Sequence, residues 1–158
     1  MAASDGGARA SRRVLVAVSR YNEAVTRKLL DGARSALSNE GVPDQNVTVV
    51  WVPGAFELPL AVRVGLATGK YDVAVALGAV IRGETNHFEY VAGEAARGLS
   101  AAASDLGLPV GFGVLTCDTL EQALDRAGGK AGNKGSEAAL SALATADALD
   151  GMRQVAED

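Results

Sequence analysis

"DVAVALGAVIRGETNHFEY", Asp72 to Tyr90, changes character halfway. Its first half is an apolar run ending at Gly78. Its second half is a glycine-containing turn followed by the start of a helical pattern. Three other short apolar runs accompany it, "VLVAVS" (Val14–Ser19), "VTVVWV" (Val47–Val52) and "VGFGVLT" (Val110–Thr116). Two of the four are nearly continuous rather than alternating, as expected of strands covered on both faces. Helical patterns fill the intervals. Val25, Leu29, Ala33 and Leu37 step by four along one face, and a second helix runs from about Leu58 to Thr68. A third carries the stripe Ala92, Ala95, Ala96, Leu99, Ala102, Ala103 and Leu106. A short fourth follows "CDTLEQALDRAG", where Asp118 and Glu121 have capping-box spacing. An Ala-rich fifth spans about Asn133 to Asp150. Strands alternating with helices at this spacing predict an α/β three-layer sandwich, a mostly parallel four-stranded sheet with helices on both faces. Residues 1–12 lack periodicity and read as a flexible N-terminal tail, with one domain over 13–158.

In such sheets ligands bind beyond the carboxyl ends of the strands. Those ends carry "SRYNE" (Ser19–Glu23), "PGAFE" (Pro53–Glu57), "AVIRGETNH" (Ala79–His87) and "TCD" (Thr116–Asp118). The third nearly spells a phosphate-binding P-loop, since four residues separate Gly78 from Gly83, but Glu84 replaces the lysine. A nucleoside triphosphate with magnesium is therefore a poor guest. Backbone N–H groups around Gly83, Glu84 and Thr85 could still hold a smaller anion. Its cation would come from Arg82, Arg126, Lys130 or Lys134. Asn86 and Glu89 are spaced to cap the helix that follows. His87, the single histidine, is either a surface residue of its first turn or a proton carrier. Tyr21 and Phe56 are core filler or a face for a flat ring. Glu57 caps a helix or binds hydroxyls, and Asn22 suits an N-cap.

The 158 residues include 15 basic and 19 acidic ones, for a net charge of −4, with no basic run to suggest a nucleic-acid surface. The longest apolar-rich run, Val73–Ile81, is far short of the ~20 residues that span a bilayer. The first thirteen residues hold no apolar core of signal-peptide length. A lone Cys117 fits a reducing cytoplasm, and the scarcity of His and Cys argues against a metal site. Only seven aromatic residues, amid many Ala and Gly, make burial against further copies a useful source of stability.

Taken in order, "SRYNE", "WVPGAFELP", "LGAVIRGETNHFEYV" and "DRAGGKAGNKG" resemble the lumazine synthases of riboflavin biosynthesis, from about Arg13 to Asp150. The resemblance implies a flavodoxin-like sheet. It also implies the condensation of 5-amino-6-(D-ribitylamino)uracil with 3,4-dihydroxy-2-butanone 4-phosphate, giving 6,7-dimethyl-8-ribityllumazine, phosphate and water. The reaction has no redox step and needs no cofactor or metal. By the same resemblance Tyr21 stacks on the pyrimidine with Asn22 beside it. Ala55, Phe56 and Glu57 line the uracil and ribityl chain, and Ala79, Val80 and Ile81 give backbone contacts. Glu84, Thr85 and Arg126 hold the phosphate, and His87 moves protons. Phe112 and Lys134 complete the pocket, with Phe112 and Arg126 supplied by a neighbouring subunit. Tyr21 stands where Phe or Trp is common, and Asn86 where Thr is common. The family assembles as pentamers, some of them built into icosahedral shells, which "GGKAGNKG" resembles. In such assemblies the N-terminal tail would add a strand to a neighbour's sheet. Pentamer or shell, and association with riboflavin synthase, stay open. A non-catalytic flavin- or lumazine-binding flavodoxin-like protein is the alternative reading. A shell protein with a decayed site and a Schiff-base aldolase using Lys134 are weaker rivals.

Overall fold

The computed structural model describes residues 6–84 and 86–157. Four parallel strands, β1 (Val14–Ser19), β2 (Val47–Val52), β3 (Val73–Ile81) and β4 (Val110–Cys117), form one sheet in the order β2-β1-β3-β4. The helices are α1 (Gly6–Ala10), α2 (Glu23–Asn39), α3 (Leu58–Ala67), α4 (Phe88–Leu106), α5 (Leu120–Asp125) and α6 (Lys134–Glu157). A small antiparallel ribbon, β5 (Ala127–Gly129) with β6 (Gly132–Asn133), sits between α5 and α6.

Side-chain alternation sorts the core into two halves. Val14, Val16, Val18, Val73, Val75 and Leu77 pack under α2 and α6, while Leu15, Ala17, Ala74 and Ala76 pack under α3 and α4. Every residue of β1 and β3 is buried, as continuous apolar runs require of strands covered on both faces. The step-by-four stripe of α2 is fully buried. The three-layer α/β sandwich with a flavodoxin-like order of parallel strands is thus the observed fold.

Several element ends depart from the sequence reading. β3 continues past Gly78 to Ile81, so the first residues of the expected loop belong to the strand. The cap of α4 is His87 and not Asn86, and the helix starts at Phe88. At α5 the N-cap lies one residue later than expected, at Thr119. Thr119 accepts from the Gln122 N–H at 3.1 Å, and the Asp118 N–H donates to Gln122 Oε1 at 2.9 Å. α6 runs on to Glu157. Residues 6–10, expected within an aperiodic tail or as a strand for a neighbour, are helical. A five-residue helix cannot hold itself. Here Arg9 pairs with Glu40 and Asp147, and Arg12 with Asp147 and Asp150.

Candidate functional site

The β1–β2 ladder outlasts its strands. The Arg20 N–H donates to Val52 O at 2.8 Å and the Tyr21 N–H to Pro53 O at 2.9 Å, so the two loops leave the sheet together. Asn22 then turns the chain into α2 with φ 63° and ψ 45°, a left-handed conformation uncommon outside glycine. Its side chain does not cap α2. Instead Nδ2 donates to Ala79 O at 3.0 Å, pinning the β1 loop to the end of β3. On the neighbouring loop the Gly54 N–H donates to Glu57 Oε1 at 2.9 Å, closing Gly54–Glu57 into a tight 3-10 turn. That turn leaves Phe56 58 % exposed, and Tyr21 is 55 % exposed on the loop beside it. Two aromatic rings left in water at adjacent strand ends are not core filler.

These loops and the end of β3 enclose a cavity of about 400 Å³. Of the residues expected in the site, Tyr21, Ala55, Phe56, Glu57, Ala79, Val80, Ile81 and Glu84 line it. Pro53, Gly54 and Val91 also line it, without a polar or aromatic side chain to mark them in the sequence. Its walls are mainly apolar, with the carboxylates of Glu57 and Glu84 at its border. Gly83 adopts φ 91°, a turn conformation that side chains resist, and the Glu84 N–H reaches back to Ile81 O at 3.3 Å. Thr85 lies outside the described residues. Asn86 is exposed beside His87.

His87 is exposed at the head of α4, where its carbonyl accepts from the Val91 N–H at 2.9 Å. Its ring meets Tyr90 edge-on, with centroids 6.4 Å apart. Arg126 caps the C-terminus of α5, and its Nη1 donates to Cys117 Sγ at 3.2 Å. Arg82 is engaged too, with Nε donating to Asp118 Oδ1 at 2.9 Å. Phe112 and Lys134 line a second cavity of about 360 Å³. Phe112 pairs with Ala76, five residues before Ile81 along β3. At ~3.3 Å per residue this sets it roughly 16 Å from the strand ends. One chain therefore gathers the ring-facing residues around one cavity, while Asn22, His87, Phe112, Lys134 and Arg126 are not among its lining. Among the described residues no cluster of three or more His, Cys, Asp or Glu is placed to hold a metal ion. No described helix is long and apolar enough to cross a membrane.

A parallel α/β sheet with a mostly apolar, aromatic-bordered cavity beyond its strand ends defines a small-molecule-binding protein of the doubly wound class. Residues 11–150 match the family model of 6,7-dimethyl-8-ribityllumazine synthase. The chain is also 56 % identical, over 142 residues, to the 6,7-dimethyl-8-ribityllumazine synthase of Edwardsiella ictaluri (strain 93-146), covering 89 % of this chain and 91 % of that protein. The chain belongs to the 6,7-dimethyl-8-ribityllumazine synthase family.

Proposed function

We propose that the chain catalyses the condensation of 5-amino-6-(D-ribitylamino)uracil with 3,4-dihydroxy-2-butanone 4-phosphate, and that the strand-end cavity is where it does so. The observation that carries this reading is the convergence of three separate sequence motifs on one cavity, through Tyr21, Phe56–Glu57 and Ala79–Ile81. A flat pyrimidine matches the exposed aromatic faces. The carbonyls and N–H groups at the end of β3 match its polar edges, and Glu57 keeps one carboxylate oxygen for ribityl hydroxyls while the other holds Gly54. The amine attacks the ketone to form an imine with loss of water. Phosphate then leaves, and ring closure releases a second water. Holding the two reactants in register supplies most of the acceleration. His87, beside the turn at Glu84, carries protons between them.

The phosphate's cation is proposed to come from another copy of the chain. Two features support an assembly. α3 is apolar on both sides: Leu58, Val62 and Leu66 face the core, while Leu60 and Val64 are 67 % and 59 % exposed. An exposed apolar stripe of this kind beside a single charged residue, Arg63, suits a covered surface. At the opposite edge of the sheet, Phe112 borders a groove with Ala96, Ser100 and Ala103. Two different apolar faces on opposite flanks suit a head-to-tail contact, the kind that builds a ring when its rotation closes. We take that ring to be a pentamer, with Arg126, Phe112 and Lys134 completing a neighbour's cavity. A cytoplasmic setting is proposed from the single unpaired Cys117.

Titrating the lumazine product into variants of Tyr21 tests the placement. Tyr21→Phe should bind it as tightly as the parent. Tyr21→Ala should lose roughly 0.5–1.5 kcal/mol of stacking together with the quenching of bound-lumazine fluorescence. Unchanged affinity with a lowered melting temperature would make Tyr21 structural and leave Phe56 as the platform.

A further inference from the structure

We propose that Arg82 is a positioning residue: by bridging Asp118 and Phe88 it fixes the connection from β3 to α4, and with it His87. The inference rests on the reading of His87 as the proton carrier.

Arg82 is the first residue after β3 and Phe88 the first of α4, so the two bracket the connection that carries Glu84 and His87. The Arg82 N–H donates to Cys117 O at 2.8 Å, continuing the β3–β4 ladder beyond its last pair, Ile81 with Cys117. Its backbone is therefore anchored to the sheet. Its side chain then reaches two other elements. Nε donates to Asp118 Oδ1 at 2.9 Å, and the guanidinium carbon lies 4.4 Å from the centroid of the Phe88 ring. Nη1 stands 3.9 Å from Glu89 Oε1 in the first turn of α4. Asp118 is not loose either, because its N–H donates to Gln122 Oε1 at the start of α5. The guanidinium thus ties the end of β3, the β4–α5 turn and the head of α4 into one unit.

Only an arginine fits this place. A planar guanidinium can lay its face on an aromatic ring while its edge pairs with a carboxylate, and an ammonium cannot do both. The side chains of Arg82 and Asp118 are 54 % and 67 % exposed, and pairs so exposed add little to global stability. What the bridge can do is local. It restricts a short connection, and a displacement of about 1 Å of a reacting group costs on the order of 10²-fold in rate.

The test compares Arg82→Ala, Asp118→Ala, the double variant and Arg82→Lys in the full chain, with steady-state kinetics on both substrates. Each alanine variant should lower kcat on the order of tenfold. The KM for the ribitylaminouracil and the melting temperature should stay at parental values. The double variant should be no slower than Arg82→Ala, because both remove one bridge. Arg82→Lys should fall between Arg82→Ala and the parent. His87 is the only histidine, so its ring NMR signals can be followed directly. They should shift or broaden in both alanine variants. Loss of activity in Arg82→Ala with a parental Asp118→Ala would overturn the proposal and make Arg82 a direct ligand of the phosphate. Parental rates and parental His87 signals in both would also overturn it. If the parent itself makes no lumazine, the reading of function fails, while the His87 signals still decide whether Arg82 positions the ring.

Discussion

At the scale of single residues, His87 and Arg126 divide the proposed chemistry between proton and phosphate. The imidazole is exposed at a helix head, so its removal leaves the core intact. His87→Ala should melt with the parent and turn over about 10²-fold more slowly, the lower end of general acid–base effects. Rates within twofold of the parent would exclude it from the mechanism. Arg126 is held by Cys117 Sγ, which among the described residues leaves the rest of its fork unspent. Arg126→Ala should raise the KM for the phosphorylated ketone, in line with loss of a charge-assisted bond of roughly 1.5–3 kcal/mol, and leave the KM for the uracil nearly unchanged. Equal damage to both constants would assign Arg126 to the subunit contact. Lysine should restore part of the function, lacking the bidentate geometry.

At the scale of elements, ion pairs decide what hydrophobic pattern cannot. Asp147 on α6 accepts from Arg12 Nη2 at 2.9 Å and from Arg9 Nε at 3.1 Å, docking α1 onto the helix layer. Burial pushes the Asp147 carboxyl up, but the hydrogen bonds and charges of Arg12 and Arg9 outweigh it and hold the pKa below its ordinary 3.8. A depressed folded-state value means the stabilisation is complete above the ordinary value and is lost as pH falls through the folded one. Asp147→Asn should therefore be less stable than the parent near neutrality. The difference should shrink as the pH drops below 3.8, as read by urea unfolding at a series of pH values. A difference that persists unchanged in acid would assign the loss to packing instead. The same contrast explains what could be read in the sequence. The β1 and β2 ranges and the α2 stripe were legible because burial writes itself into apolar spacing. α1 was not, because its docking depends on arginines meeting carboxylates 31 to 138 residues away. The shift from Asp118 to Thr119 follows from neighbouring candidates of similar capping chemistry, which only backbone geometry separates, whereas His87 takes the N-cap position of α4 without a side-chain cap bond. Tyr21, Phe56 and Glu57 were legible as lining of the strand-end cavity because they stand just past strand ends. The bridge of Asn22 to Ala79 was not, since a good N-cap type in N-cap position reads as a cap.

At the scale of the whole molecule, the apolar outer face of α3 and the groove beside Phe112 are proposed to meet between copies. Leu60→Asp would place an unpaired charge in that contact, where desolvation costs several kcal/mol. The ring should dissociate into smaller species in sedimentation, and activity per chain should fall with it, because a lone chain does not bring Arg126 to its own cavity. An assembly of unchanged mass and activity would place the contact elsewhere on the surface. The central claim, that this chain makes lumazine rather than merely binding it, is met most directly by one measurement. The purified protein is mixed with 5-amino-6-(D-ribitylamino)uracil and 3,4-dihydroxy-2-butanone 4-phosphate, and the lumazine absorbance and released phosphate are followed together. The account expects both to rise in equal amounts over many turnovers, faster than without protein. Tight binding of lumazine or flavin with neither signal above the protein-free rate would contradict it.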